Sequence, residues 1–127
     1  MGTIKTIKIE GAPAPAGHYS PGILYNGTLF ISGQLPVNKD GSHTFNEPFD
    51  VQARVALNNL LAVVSAAGGT ADHLLKVTVY IVGVEHWKTF NQVYAELMGD
   101  SKPARAVVPV PELHHGYLVE IEAIAAV

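Results

Sequence analysis

The chain is expected to fold as one α+β domain, a mixed β-sheet with two helices packed on one face. Three observations predict this. An Asn26-Gly27 pair lies between two β-rich runs. Two segments, opening near residues 50 and 85, carry apolar residues at helical spacing. The elements follow in the order strand, hairpin, helix, strand, helix, strand, strand, which gives one sheet and a helical layer. At 127 residues a single domain is expected. Such a chain buries roughly two thirds of its unfolded surface and needs no disulfide or metal to fold.

Ile4, Ile7 and Ile9, with Lys and Thr between them, suggest a short first strand. Residues 11–22 are rich in Gly, Pro and Ala and read as a loop. The hairpin follows over residues 23–31, because both central residues of a type I′ turn need positive φ and Asn-Gly tolerates it. Its second arm runs into Ser32-Gly33-Gln34, and a further loop reaches about Pro48. Asp50 suits the N-cap of a long helix whose apolar stripe is Ala53, Ala56, Leu57, Leu60, Leu61 and Val64. Gly68-Gly69 supplies its stop. Residues 74–82 alternate, with Val77, Val79 and Ile81 on one face and Lys76, Thr78 and Tyr80 on the other. The second helix starts near Glu85, with Trp87, Phe90, Tyr94 and Leu97 on one side. Strands over about 105–110 and 117–126 close the chain. The strands are apolar on both sides, yet the chain has no third layer, so a further subunit is the expected cover. A hydrophobic content of 48% with only 15% charged residues agrees with that.

Net charge is −3 and the pI is near 6.0. No Lys/Arg cluster is present to neutralise phosphates, which argues against a nucleic-acid partner. Cysteine is absent, which removes thiolate catalysis, disulfides and Cys-ligated metals. No apolar stretch approaches a membrane span and the N-terminus lacks a signal-peptide core. A soluble, cytoplasmic protein with no membrane partner is the expectation. The six histidines are His18, His43, His73, His86, His114 and His115, and none are spaced as metal ligands. No metal and no cofactor is expected. Ser32 is not in a nucleophile elbow, and Gly68-Gly69 follows a helix rather than preceding one, so neither a hydrolase triad nor a phosphate cradle is indicated.

Arg105 is the conspicuous residue, one of two arginines, set in the apolar run Pro103-Ala104-Arg105-Ala106-Val107-Val108. A guanidinium in a strand is costly to bury without an anion. Fifteen residues on, Glu120 and Glu122 share one face of the last strand with Leu118 and Ile124. Two readings are open. The arginine pairs with one of these glutamates, within the sheet or between subunits. Alternatively, it receives a substrate carboxylate, for which its planar fork is suited, while Glu120, its pKa raised by apolar neighbours, handles a proton. On spacing alone the internal ion pair is the plainer reading.

Pro103-Ala104-Arg105, with Glu120 inside Val119-Glu120-Ile121-Glu122-Ala123-Ile124-Ala125, resembles the signature of the reactive intermediate deaminase family (RidA, or YjgF-type). Ala14 to Gly22 is similar to that family's N-terminal loop, Ile31-Ser32-Gly33-Gln34-Leu35-Pro36 to its SGQ segment, residues 52–68 to its first helix and Phe90-Asn91-Gln92-Val93-Tyr94 to its second. The resemblance covers nearly the whole chain. It implies a chorismate-mutase-like fold, a homotrimer with active sites between subunits, and cofactor-free hydrolysis of enamine or imine acids, such as 2-aminoacrylate, to 2-keto acids and ammonia. By position, Arg105 would bind the substrate carboxylate and Glu120 would activate water. Tyr19, Ser32 and Asn91 would line the pocket, Phe90 would form an apolar wall, and the Val107 backbone would touch the substrate. Read without the resemblance, Tyr19 is a loop anchor, Ser32 a backbone-capping hydroxyl and Asn91 a helix-surface residue. Three positions depart from the family pattern. Val107 stands where Cys is frequent, Pro109 and Pro111 flank Val110, which suits a strand ending or an edge, and His114-His115-Gly116 replaces a Leu-Pro-type turn. The alternative function is a non-catalytic module that binds a small carboxylate. An RNA-cleaving role, also attributed to some members of the family, fits poorly with the acidic balance.

Overall fold

The computed structural model describes residues 2–127. The sheet has six strands. They are β1 (Lys5–Ile7), β2 (Gly22–Tyr25), β3 (Thr28–Gln34), β4 (Leu74–Ile81), β5 (Ala104–Pro109) and β6 (Val119–Ala126), in the spatial order β1-β2-β3-β6-β4-β5. Two helices, α1 (Phe49–Ala66) and α2 (Trp87–Met98), complete the expected order of elements. All neighbours are antiparallel except β4 and β5, which run parallel and are joined through α2. This is the α+β layer that the periodicities predicted.

Local chemistry explains most boundaries. Asn26 (φ 50°) and Gly27 (φ 78°) both sit in the left-handed region between the paired Tyr25 and Thr28, as the hairpin signal required. Helix α1 ends in a Schellman arrangement. Gly68 takes φ 91°, its amide bonds Ser65 O, and the Gly69 amide reaches back to Val64 O. The start of α1 differs from expectation. Pro48 is the N-cap and Asp50 lies inside the first turn, where its carboxylate still faces the positive end of the helix dipole. The first strand is also shorter than the isoleucine spacing suggested, since Ile4 is exposed. Helix α2 starts two residues later than expected, after a 3-10 turn over Val84–His86.

The core lies between α1, α2 and one sheet face. Ala53, Ala56, Leu57, Leu60, Val63 and Val64 meet Leu29, Ile31, Val77, Val79, Ile81, Val119 and Ile121. Leu61 is only partly buried, and Gln52 takes a fully buried place on α1 instead. Its amide donates to Glu47 O and its Oε1 accepts from the Leu118 amide, so a polar side chain ties the helix start to the approach of β6. On α2 the buried residues are Phe90, Val93, Tyr94 and Met98. Trp87 is exposed and Leu97 is intermediate, so the buried stripe is rotated from the one expected.

The other sheet face carries no layer of the chain. Its rows are read from the register. Ile23, Phe30, Ile124, Lys76 and Ala104 lie side by side, then Glu122, Thr78 and Ala106, then Glu120, Tyr80 and Val108. Phe30 is 50% exposed there.

Candidate active site

Arg105 and Glu120 are held by opposite faces of the sheet. On β5, Arg105 is level with Val77 and Val107 with Val79, so both point toward the helices. The Arg105 guanidinium carbon lies 4.8 Å from the Tyr94 ring centroid and 5.9 Å from that of Phe90. These two residues are four apart on α2 and so project from one face. They form an aromatic support for the cation, a role the sequence reading did not assign to Tyr94, although the spacing contained it. Burial raises the Tyr94 phenol, and the nearby guanidinium opposes that rise without cancelling it. The Tyr94 hydroxyl is buried without a hydrogen-bond partner.

Within the chain Arg105 is paired with neither glutamate. Among the described residues the one salt bridge is the exposed pair Arg54–Glu96, at 2.9 Å. The intramolecular form of the ion-pair reading therefore does not hold. The sheet itself lies between the candidate partners.

On the open face, Glu120 is half-buried beside Tyr80 of β4. Burial raises its pKa most, His114 opposes the rise and Glu122 adds to it. Glu122 is exposed and accepts a hydrogen bond from the Tyr80 hydroxyl at 3.0 Å. That bond is the main reason the Tyr80 phenol is raised. Glu120 thus holds its proton more tightly than an ordinary carboxyl, and Glu122 is tied to a neighbour.

The other expected site residues fall in several places. The Ser32 hydroxyl donates to Ser20 O at 2.6 Å and the Ser32 amide to Pro21 O at 3.0 Å. Ser32 thereby clips the 17–21 loop, with its exposed Tyr19, to β3. The backbone-bonding role of this hydroxyl is the one observed. Asn91 and Tyr94 line an open groove of about 500 Å³ along α2, with Met98, Ser101 and Lys102. Neither Arg105 nor Glu120 lines that groove. Phe90 is fully buried, so its ring supports Arg105 from beneath and is not an open wall. Val107 packs against the core from the edge strand β5, whose outer side has no neighbour. Pro109 ends that strand, where an edge tolerates the missing amide.

The His114–Gly116 segment is a 3-10 turn with His115 at φ 62°. Beyond it, buried Tyr117 places its hydroxyl 2.6 Å from His43 Nδ1, and the Thr44 amide donates to the same oxygen at 3.2 Å. The imidazole of His115 packs 4.8 Å from that of His43. The unusual turn therefore anchors the 43–45 loop next to the end of β6 that carries Glu120.

Comparison with known proteins agrees with this arrangement of elements. The family described as Endoribonuclease L-PSP matches residues 9–127. A RutC family protein of Pyrococcus horikoshii is 40% identical over 121 residues, covering 95% of this chain and 96% of its own. A bovine protein named 2-iminobutanoate/2-iminopropanoate deaminase is 36% identical, covering 95% of this chain and 88% of its own. Among solved structures, the Yersinia pestis Rid-family protein YyfA superposes with TM-score 0.92 at 37% identity, covering 98% of this chain and all of its own. Escherichia coli TdcF, solved with bound serine, superposes with TM-score 0.90 at 34% identity, covering 97% and 98%. By sequence over nearly its full length and by fold, the chain belongs to the RutC/YjgF/RidA family.

Proposed function

We propose that the protein hydrolyses reactive enamine and imine acids of the 2-aminoacrylate type to 2-keto acids and ammonia, without a cofactor, as a cytoplasmic homotrimer. The observation that carries the reading is the separation of Arg105 from Glu120. A guanidinium on an aromatic support, with no carboxylate partner in its own protomer, suits an external carboxylate. A half-buried carboxyl with a raised pKa suits proton transfer near neutral pH. One small ligand meets both groups where the β5 edge of one copy adjoins the open face of the next. That geometry also covers the exposed apolar residues of the open face. The name of the bovine relative and the serine bound to TdcF support a small amino-acid-like substrate.

In this reading the enamine tautomerises to the imine while Arg105 holds its carboxylate. Glu120 takes a proton from water as the oxygen bonds to the imine carbon. It gives that proton to nitrogen, which forms the carbinolamine, and then carries the carbinolamine's hydroxyl proton to the same nitrogen as the carbon–nitrogen bond breaks and the carbonyl forms, releasing ammonia and the keto acid. Orientation and one proton carrier suffice for so reactive a substrate. Tyr19 and Asn91 complete the polar lining, Ser32 holds the Tyr19 loop, and the Val107 backbone borders the ligand.

The test is keto-acid release from freshly generated 2-aminoacrylate. Arg105→Ala is expected to lower kcat/KM by a factor corresponding to about 2–5 kcal/mol, the cost of losing one side of a charged bidentate contact. Arg105→Lys is expected to recover little, because the fork is lost. No acceleration by the wild type, or wild-type kinetics in Arg105→Ala, would refute the reading. Binding of 2-ketobutyrate without turnover would favour a carboxylate-binding module instead.

A further inference from the structure

We propose that Gly33 is a positioning residue for Glu120: the missing side chain at this one position of β3 is the space in which the Glu120 carboxyl lies. The inference rests on the catalytic reading of Glu120 given above. A Cβ built on Gly33 would lie 2.7 Å from Glu120 Oε2, 3.1 Å from its Cδ and 3.4 Å from its Cγ. Its three nearest atoms all belong to that one side chain. The backbone gives no other reason for glycine. Gly33 is not among the residues with positive φ and lies within a strand, so alanine is conformationally allowed.

Gly22 shows the contrast. A Cβ there would meet Val63 at 2.9 Å and Leu29 at 3.3 Å, which are packed core atoms. A substitution at Gly22 therefore disturbs folding. At Gly33 the obstacle is the far end of a flexible side chain, which can swing away at little cost to the fold. What changes is where the carboxyl points.

The surroundings make that position specific. The β3–β6 ladder shifts register between Ile31 and Gln34, so the strand bulges beside Glu120. Tyr80 of β4 flanks the carboxyl on its other side, Glu122 follows on the same face of β6, and His114 acts on it from the preceding turn. A methyl at position 33 closes the β3 side and drives the carboxyl outward, toward solvent. The adjacent Ser32 clips the Tyr19 loop, so two consecutive residues would position two separate parts of one site, neither needing to touch substrate through its side chain.

The test compares wild type, Gly33→Ala and Glu120→Ala. Gly33→Ala is expected to melt at the wild-type temperature and to keep the wild-type KM. Its kcat is expected to fall by about tenfold to a hundredfold, the scale of a displacement of about 1 Å in a catalytic group. A second readout does not need turnover. In carboxyl-labelled protein, the NMR titration midpoint of Glu120 is expected to move down in Gly33→Ala, because the displaced group regains water. An unchanged Glu120 titration with unchanged kcat in a folded Gly33→Ala would overturn the proposal. So would a Glu120 titration unchanged while the protein is destabilised, which would make Gly33 a folding residue. If Glu120→Ala retains full activity, the catalytic reading falls, and the titration still decides whether Gly33 places the side chain.

Discussion

The two faces of the sheet are built on different principles. The covered face is closed by α1 and α2, and its residues, such as Leu57, Leu60, Val77 and Val79, are fully buried. The positions of its central strands are occupied for packing. The open face mixes Phe30, Ile23 and Ile124 with Lys76, Thr78, Tyr80, Glu120 and Glu122. Its apolar and charged groups are interleaved, which suits neither a core nor a fully solvated surface. The difference teaches that a face left uncovered by its own chain can hold a half-buried carboxyl with a raised pKa, Glu120, among apolar neighbours. Arg105 obeys the same logic from the other side. It lies on the covered face but on the edge strand, where its guanidinium rests over Tyr94 and Phe90 and the residue keeps partial exposure.

The sharpest way to break this comparison is to truncate one large residue on each face. Leu57→Ala, on the covered face, is expected to cost about 2–5 kcal/mol in denaturant unfolding, whatever the protein concentration. Phe30→Ala, on the open face, is expected to cost less, and its loss should shrink as the protein is diluted, because in the homotrimer proposed above that contact belongs to an assembly that dilution dissociates. A concentration-independent loss equal to that of Leu57→Ala would show that both faces are ordinary core.

A smaller effect tests the electrostatics of the open face. Burial raises the Glu120 pKa above its unfolded value, so the folded state holds its proton more tightly. Its contribution to stability is complete below the unfolded carboxyl pKa and is lost as pH rises through the folded one. Glu120→Gln is therefore expected to be more stable than wild type at neutral pH, with the advantage disappearing in acid. Partial exposure keeps the gain small. Equal stability of the two proteins at every pH would mean that Glu120 is solvated like any surface carboxylate. The smallest effect is expected at the exposed pair on the helical surface. Arg54→Ala should change stability by about 0–1 kcal/mol, with most of that change gone at high salt.

Much of the fold was legible because its signals are local. Asn26-Gly27, the stripe from Ala53 to Val64 and the Gly68 stop each act within a few residues, and each appears where expected, except that Leu61 of the stripe is only partly buried. The misplaced N-cap at Asp50 and the rotated α2 stripe share one cause. Pro48 and the 3-10 turn at Val84–His86 set where the helices begin, and a shift of one or two residues redirects a helical face. Trp87 lost its expected burial in this way.

By itself, the amino-acid sequence determined the order of elements, the absence of thiol chemistry and the family signature around Arg105 and Glu120. These follow from residue type, period and spacing. Only the tertiary structure decided that Arg105 and Glu120 occupy opposite faces, that Tyr94 underlies the guanidinium, and that Gly33 faces the Glu120 carboxyl. Each depends on strand order and register. Placing β6 between β3 and β4, and β5 outside β4, sets which side chains become neighbours. Such pairings join residues dozens of positions apart through a sheet ladder whose register no local run of residues encodes.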